Sequence, residues 1–152
     1  MLFGIGRARV SSMECPAPRQ LSRVVYISRA RTGSRRSDIA SLLAQCDRNN
    51  PAEELSGLLL ADPTSYLQAL EGPVDAVARR MALIRTDRRH SHIAIIAEGP
   101  IPARQFGHWA MIHRDQTAMS PEAFSRHVAM DVAAVDDIAL KAVFLGFARM
   151  TV

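Results

Sequence analysis

The chain predicts an α+β protein: a sheet in the order β-α-β-β-α-β-β with two helices packed on one face, and two further helices at the C-terminus. Three observations carry this. Between residues 21 and 98, segments of period 2 and period 3.6 alternate in the split-βαβ order of the ferredoxin-like fold. The stretch Leu55–Gly72, LSGLLLADPTSYLQALEG, holds two short apolar runs joined by the turn Asp62-Pro63-Thr64, and so reads as a β-hairpin. Ser120-Pro121-Glu122 then opens a helix outside the sheet unit, with a capping hydroxyl, a proline at the first position and an acid in the first turn.

Taken in order, Leu21–Ser28 (LSRVVYIS) is rich in β-branched residues and predicts the first strand, with Val24, Tyr26 and Ser28 on one side and Val25 and Ile27 on the other. A loop carrying Arg29, Arg31, Arg35 and Arg36 leads to a helix over about Ser37–Arg48. Its apolar stripe is Ile39, Leu42, Leu43 and Cys46, its cap Ser34 or Ser37, and its stop Asn49-Asn50-Pro51. The hairpin follows, with strands Leu55–Ala61 and Ser65–Glu71; in the second, Tyr66, Gln68 and Leu70 share one face, and Leu67 and Ala69 the other. A second helix over about Pro73–Arg85 has the stripe Val74, Val77, Met81 and Ile84. After the polar connector Thr86–Ser91, strands are predicted at His92–Glu98 and about Gly107–His113, with Trp109 and Met111 on one face of the latter. A helix of about ten residues starts at Ser120, and another runs from about Val135 to Arg149 with Ile138, Val143 and Leu145 among its apolar positions. These two are expected to cover the open face of the sheet or to meet another protein.

Composition narrows the function. At 152 residues, 48% hydrophobic and 22% charged, the chain suits one soluble domain with additional material. No apolar stretch is long enough to span a membrane, and residues 1–20 lack the long apolar region of a secretory signal and read as a disordered tail. Cys15 and Cys46 suggest a reducing, cytoplasmic setting rather than a disulfide framework. The formal charge of +4 comes from 19 basic residues, all arginine but Lys141; it is too modest to point to nucleic acid by itself. The histidines at 90, 92, 108, 113 and 127 form no metal-ligand spacing.

Gln68 is the residue that asks for an explanation. An amide in the middle of an apolar strand has two donors and two acceptor lone pairs, and unpaired in a core it costs about 1–3 kcal/mol. Tyr26, Gln68 and Asn50 can converge between sheet and helices, where two carboxamides and a phenol suit hydrogen bonding to a flat heteroaromatic ligand better than hydrolysis. Equally, Tyr26 and Gln68 can simply satisfy one another. Asp87-Arg88-Arg89-His90 is a dense polar turn after a helix, open to the same two readings. A different class, a basic ferredoxin-like RNA-binding module, would need exposed aromatics on the central strands. The chain has five Phe, two Tyr and one Trp, with no evident stacking pair.

Six blocks in order give the chain a specific resemblance to the BLUF family of blue-light sensors using FAD: VVYIS with Tyr26, the pair Asn49-Asn50, LSGLLL at 55–60, SYLQALEG at 65–72, DRRH at 87–90, and Phe106-x-x-Trp109-x-Met111. Ser56 stands where the family usually has Thr, and the aromatic preceding the glutamine is shifted to Tyr66. The resemblance implies FAD bound noncovalently between the helices and the sheet. Tyr26 would be the redox-active phenol, and Gln68 the bridge from Tyr26 to the flavin N5/O4 edge. Asn50 would lie at the C4 carbonyl side, Asn49 over the ring, and Arg89 at the C2 carbonyl side with Asp87 and His90 near it. Trp109 and Met111 would relay the rearranged hydrogen bonds. Tyr66 would compete as electron donor if it faced inward. Gln68 would switch by rotation or tautomerisation.

The implied organisation is a sensor unit over residues 21–115 and a helical extension over 116–152, without catalytic turnover. Output would run through that extension by self-association as a homo-oligomer or by a separate protein partner, with no membrane involved.

Overall fold

The computed structural model describes residues 19–31, 52–107 and 111–150, together with 40, 41, 44, 45 and 48. The expectations for the tail up to residue 18, Arg35, Arg36, the caps Ser34 and Ser37, the stripe Ile39/Leu42/Leu43/Cys46, Asn49, Asn50, Pro51 and Trp109 lie outside the described residues. Ala40, Ser41, Ala44, Gln45 and Arg48 are helical and exposed, as the solvent side of that predicted stripe should be.

The strands are β1 (Leu21–Ala30), β2 (Ser56–Ala61), β3 (Ser65–Pro73), β4 (His90–Ile101) and β5 (Ile112–Asp115); the helices are α1 (Val74–Thr86), α2 (Pro121–Asp131) and α3 (Ile138–Met150). They form the ferredoxin-like α+β fold, a five-stranded mixed sheet in the order β4-β1-β3-β2-β5. All neighbours are antiparallel except β2 and β5. The hairpin is present, and its turn is locked by Asp62, whose Oδ1 accepts from the backbone N–H of Thr64 and of Ser65, both at 2.7 Å. Gly57 allows β2 and β3 to close up, because a Cβ there would stand 1.9 Å from the Ala69 carbonyl oxygen.

The sheet separates two cores as period 2 predicts. Val24, Tyr26, Leu59, Tyr66 and Leu70 face α1 with Ala76, Val77 and Met81. Val25, Leu58, Leu60, Leu67 and Ala69 face α2 and α3, where Phe124, Val128, Leu140, Phe144 and Phe147 cover them. The C-terminal helices thus cap their own sheet. Arg114 on β5 holds Asp131 at the end of α2 through two 2.7 Å bonds. The α2 start is as predicted, with Ser120 Oγ accepting from Ala123 N. No described helix is long and apolar enough to cross a membrane.

Four expectations need correction. Val74 is 45% exposed, and Arg80 instead shares the buried side of α1 with Ala76, Val77 and Met81. α3 begins at Ile138, which is 82% exposed; the buried positions are Leu140, Phe144, Phe147 and Ala148, because a nearly all-apolar helix leaves its phase to whatever it packs on. β4 starts at His90 and runs through Gly99-Pro100, a proline that an edge strand tolerates.

The last strand begins at Ile112, not near Gly107. Residues 104–107 are turned aside because Glu71, fully buried on β3, takes the N–H groups of Gln105 (2.8 Å) and Phe106 (3.2 Å) into its carboxylate. Arg104 fastens the same segment to the carbonyls of Glu71 and Glu54 and to Ser56 Oγ. Gln105 Oε1 in turn accepts from the N–H groups of Asp136 (2.7 Å) and Asp137, at the entry to α3.

Candidate functional site

Antiparallel register sets the centre of the site. Tyr26 on β1 is directly opposite Gln68 on β3, and Gln68 is opposite Leu59 on β2. All three side chains face α1. Tyr26 is completely buried and its O–H donates to Gln68 Oε1. The Gln68 amide passes its own N–H to Met111 Sδ at 3.6 Å. The amide predicted to need partners therefore has them on both ends, a phenol on one side and a thioether just before β5 on the other.

Gln68 also lines a cleft of about 330 Å³ between sheet and helix. Leu59, Leu70, Leu83 and Ile84 form apolar walls, and Gln45, Arg80, Asp87, Arg89 and His90 supply polar groups. The volume is at the small end of the range for ligand pockets, about 300–1,000 Å³. Tyr26 stands behind Gln68 rather than on the wall. Asp87, Arg89 and His90, three predicted site residues, are brought to the cleft together. Arg89 donates Nε to both Asp87 oxygens at 3.0 Å, and its Nη2 reaches Gln45 Oε1 at 3.0 Å. Burial works to raise the Asp87 carboxyl, but the hydrogen bonds from Arg89 outweigh it and hold the group below its usual value.

His90 arrives by a local irregularity. Ile93 and Ile95 pack on the α1 side, so strict alternation would turn residue 90 away. Between Ile27 and Arg29 the β1–β4 register shifts, and His92, with φ at 51°, is the extra residue. The bulge reverses the parity and swings His90 inward, where Nδ1 lies 2.9 Å from Ser28 Oγ and the ring sits 4.9 Å from that of Tyr66. Tyr66, 1% exposed, does face the same side as Gln68.

Burial pushes His90 below its usual value of 6.5, with Arg89 acting in the same direction and Asp87 against both. The unfolded chain would take up this proton near 6.5 and the folded chain only at lower pH. Between those values the unfolded state binds more protons, so stability rises with pH. The contribution is complete above about 6.5 and is lost as pH falls from there toward the folded value. We expect wild type to lose more unfolding free energy than His90→Gln between about pH 7.5 and about pH 5 in urea titrations. Equal losses would show that His90 titrates normally.

Sequence reasoning missed Gln45, Leu59, Leu83 and Arg80. For Arg80 a signal was available, since it falls between Val77 and Ile84 at helical spacing on a stripe otherwise apolar. Among the described residues no cluster of potential metal ligands occurs. The aromatics an RNA-binding sheet would expose are here covered: Tyr26 and Tyr66 lie beneath α1, and the opposite face lies beneath α2 and α3.

A family model described as BLUF, sensors of blue-light using FAD, matches residues 21–112. The photoactivated adenylate cyclase subunit alpha of Euglena gracilis is 34% identical over 97 residues, which are 64% of this chain and 10% of that protein. The blue light- and temperature-regulated antirepressor BluF of Escherichia coli (strain K12) is 30% identical over 87 residues, 57% of this chain and 22% of that one. This chain thus spans about a tenth of the cyclase subunit's length and under a quarter of the antirepressor's. The dark-state structure of BlrB, a BLUF protein, superposes with a TM-score of 0.67 at 26% identity, covering 86% of this chain and 96% of that one.

Proposed function

The chain belongs to the BLUF family of blue-light sensors that use FAD, and we propose that Tyr26, Gln68 and Met111 form its light switch. FAD, when bound, absorbs the blue light and in its excited state draws an electron from a nearby donor. The observation that carries the assignment is the buried relay from the Tyr26 O–H to Gln68 Oε1 and from Gln68 Nε2 to Met111 Sδ, with Gln68 alone of the three on the cleft wall. The lining suits the cofactor. Leu59, Leu70, Leu83 and Ile84 match the faces of a flat ring system, while Gln68 and Arg89 offer donors at its rim.

Tyr26 would supply that electron and pass its phenolic proton toward Gln68 Oε1, and both would return to Tyr26 as the excitation decays, so the lasting change is in hydrogen bonding and not in oxidation state. Gln68 then holds the altered state in either of two ways. Rotation turns its N–H toward Tyr26 and its oxygen toward Met111, whose sulfur has no proton to give. Tautomerisation keeps the side chain in place and exchanges donor for acceptor. Either way the Met111 contact changes, and Met111 ends the segment that Glu71 and Gln105 tie to the start of α3. Arg89 with Asp87 and His90 positions the cofactor's pyrimidine end; Asn49 and Asn50 are assigned to the ring, and Trp109 to the relay beside Met111, by family correspondence.

We assign residues 21–115 to the sensor unit and 116–152 to an output extension that acts by self-association or on a separate protein partner, the chain itself catalysing no reaction. The E. coli relative is by name an antirepressor and the Euglena relatives are cyclase subunits, which supports a sensor read out by diverse effectors. An absorption spectrum taken in the dark and again after blue light tests the reading. A flavin spectrum that shifts slightly to the red and relaxes in darkness is expected. A colourless protein that cannot be reconstituted with FAD would overturn it.

A further inference from the structure

α1 presents two different sides. Val77 and Met81 pack on the sheet, whereas Arg80, Leu83, Ile84 and, just past its end, Asp87 line the cleft at i, i+3, i+4 and i+7. Arg80 is the member of this row that packing does not explain. Its side chain is 9% exposed, in a position where leucine would bury more favourably. Its Nη2 meets Glu53 Oε2 at 2.8 Å as an ion pair, but the buried Nε–H has no acceptor among the described residues. A guanidinium carries five donors in a rigid fork, and leaving one buried and unused is costly.

The far end of the row is different. Arg89 has its charge matched by Asp87 through several bonds. Seven residues of helix, about 10 Å, separate Arg80 from Asp87, and the apolar side chains of Leu83 and Ile84 fill the interval. The cleft is therefore an apolar slot with a guanidinium at each end, one neutralised internally and one with donor capacity left over. Glu53 is 32% exposed and can swing to solvent, which frees more of the Arg80 fork.

We propose that Arg80 is a second cofactor-anchoring arginine beside Arg89, donating from its guanidinium to an acceptor oxygen of the bound flavin nucleotide. This rests on the reading of the cleft as the flavin site. The acceptor belongs either to the ring system or to the phosphates, and the choice is testable.

Apoprotein of the full chain, as wild type, R80M and R80K, is titrated with FAD, FMN and riboflavin, following quenching of flavin fluorescence. R80M is expected to weaken FAD binding about tenfold or more, the value of one charge-assisted hydrogen bond, and R80K to recover part of it. Loss for FAD and FMN but not riboflavin identifies phosphate as the acceptor. Equal loss for all three identifies the ring, and the dark absorption maximum should then move as well. R80M binding all three as tightly as wild type overturns the inference while leaving the flavin site intact. Failure of wild type itself to take up any flavin overturns both. If R80M does not fold by circular dichroism, E53Q decides: with the competing carboxylate gone it should bind FAD a few-fold more tightly, and unchanged or weaker binding rejects the proposal.

Discussion

Tyr26→Phe is expected to leave a yellow, flavin-loaded protein whose light-induced red shift is gone. Phenylalanine keeps the ring that fills the core beneath α1, and Tyr26 is not among the cleft-lining residues, so the cofactor site should survive. What disappears is the O–H that donates to Gln68 Oε1. Without it there is neither a redox-active phenol nor a proton to rearrange. A buried acceptor left on Gln68 costs about 1–3 kcal/mol, which a domain with a total of about 5–15 kcal/mol withstands. The check is a light-minus-dark difference spectrum. A full-sized shift would remove Tyr26 from its assigned role and turn attention to Tyr66, which is buried on the same face. The companion variant Tyr66→Phe is accordingly expected to keep the shift.

Glu71→Ala should be the most destabilising single change on the sheet. The carboxylate is 0% exposed and serves three donors: Arg23 Nη1 at 3.3 Å and the N–H groups of Gln105 and Phe106. Truncation removes all three bonds at once and leaves a cavity on β3, the central strand, which also carries Gln68. Breaking a buried ion pair by deleting one partner costs about 3–5 kcal/mol. At roughly 4 °C per kcal/mol, the midpoint of thermal unfolding should fall by about 10–20 °C. Glu71→Gln, which keeps an acceptor oxygen, should lose markedly less. A midpoint for Glu71→Ala within a few degrees of wild type would mean that the Gln105 and Phe106 amides find other acceptors. Arg23 also holds Asp137, which caps α3 by accepting from Leu140 N, so the same carboxylate helps to fasten the C-terminal helices.

Local periodicity by itself makes the centre of this protein legible. Period 2 put Tyr26 and Gln68 on one face of two strands, and the Asp62-Pro63-Thr64 turn made β2 and β3 neighbours. From there, only an ordinary antiparallel register was needed to set phenol against amide. Ser120-Pro121 announced α2 for an equally local reason, since a cap and a proline act within one turn. Arg80, the inward His90, the curled segment 102–107 and the phase of α3 were decided by tertiary structure. Alternation cannot register the extra residue at His92 that turns His90 inward, because a bulge exists only relative to the strand it pairs with. The amides of Gln105 and Phe106 leave the strand ladder for a carboxylate 34 and 35 residues away. A helix as nearly all-apolar as α3 has too narrow a polar side to orient it until Leu58, Leu60 and Leu67 offer a surface. What depends on the spacing of neighbours along the chain could be read from the chain; what depends on which distant group satisfies a donor or fills a face could not.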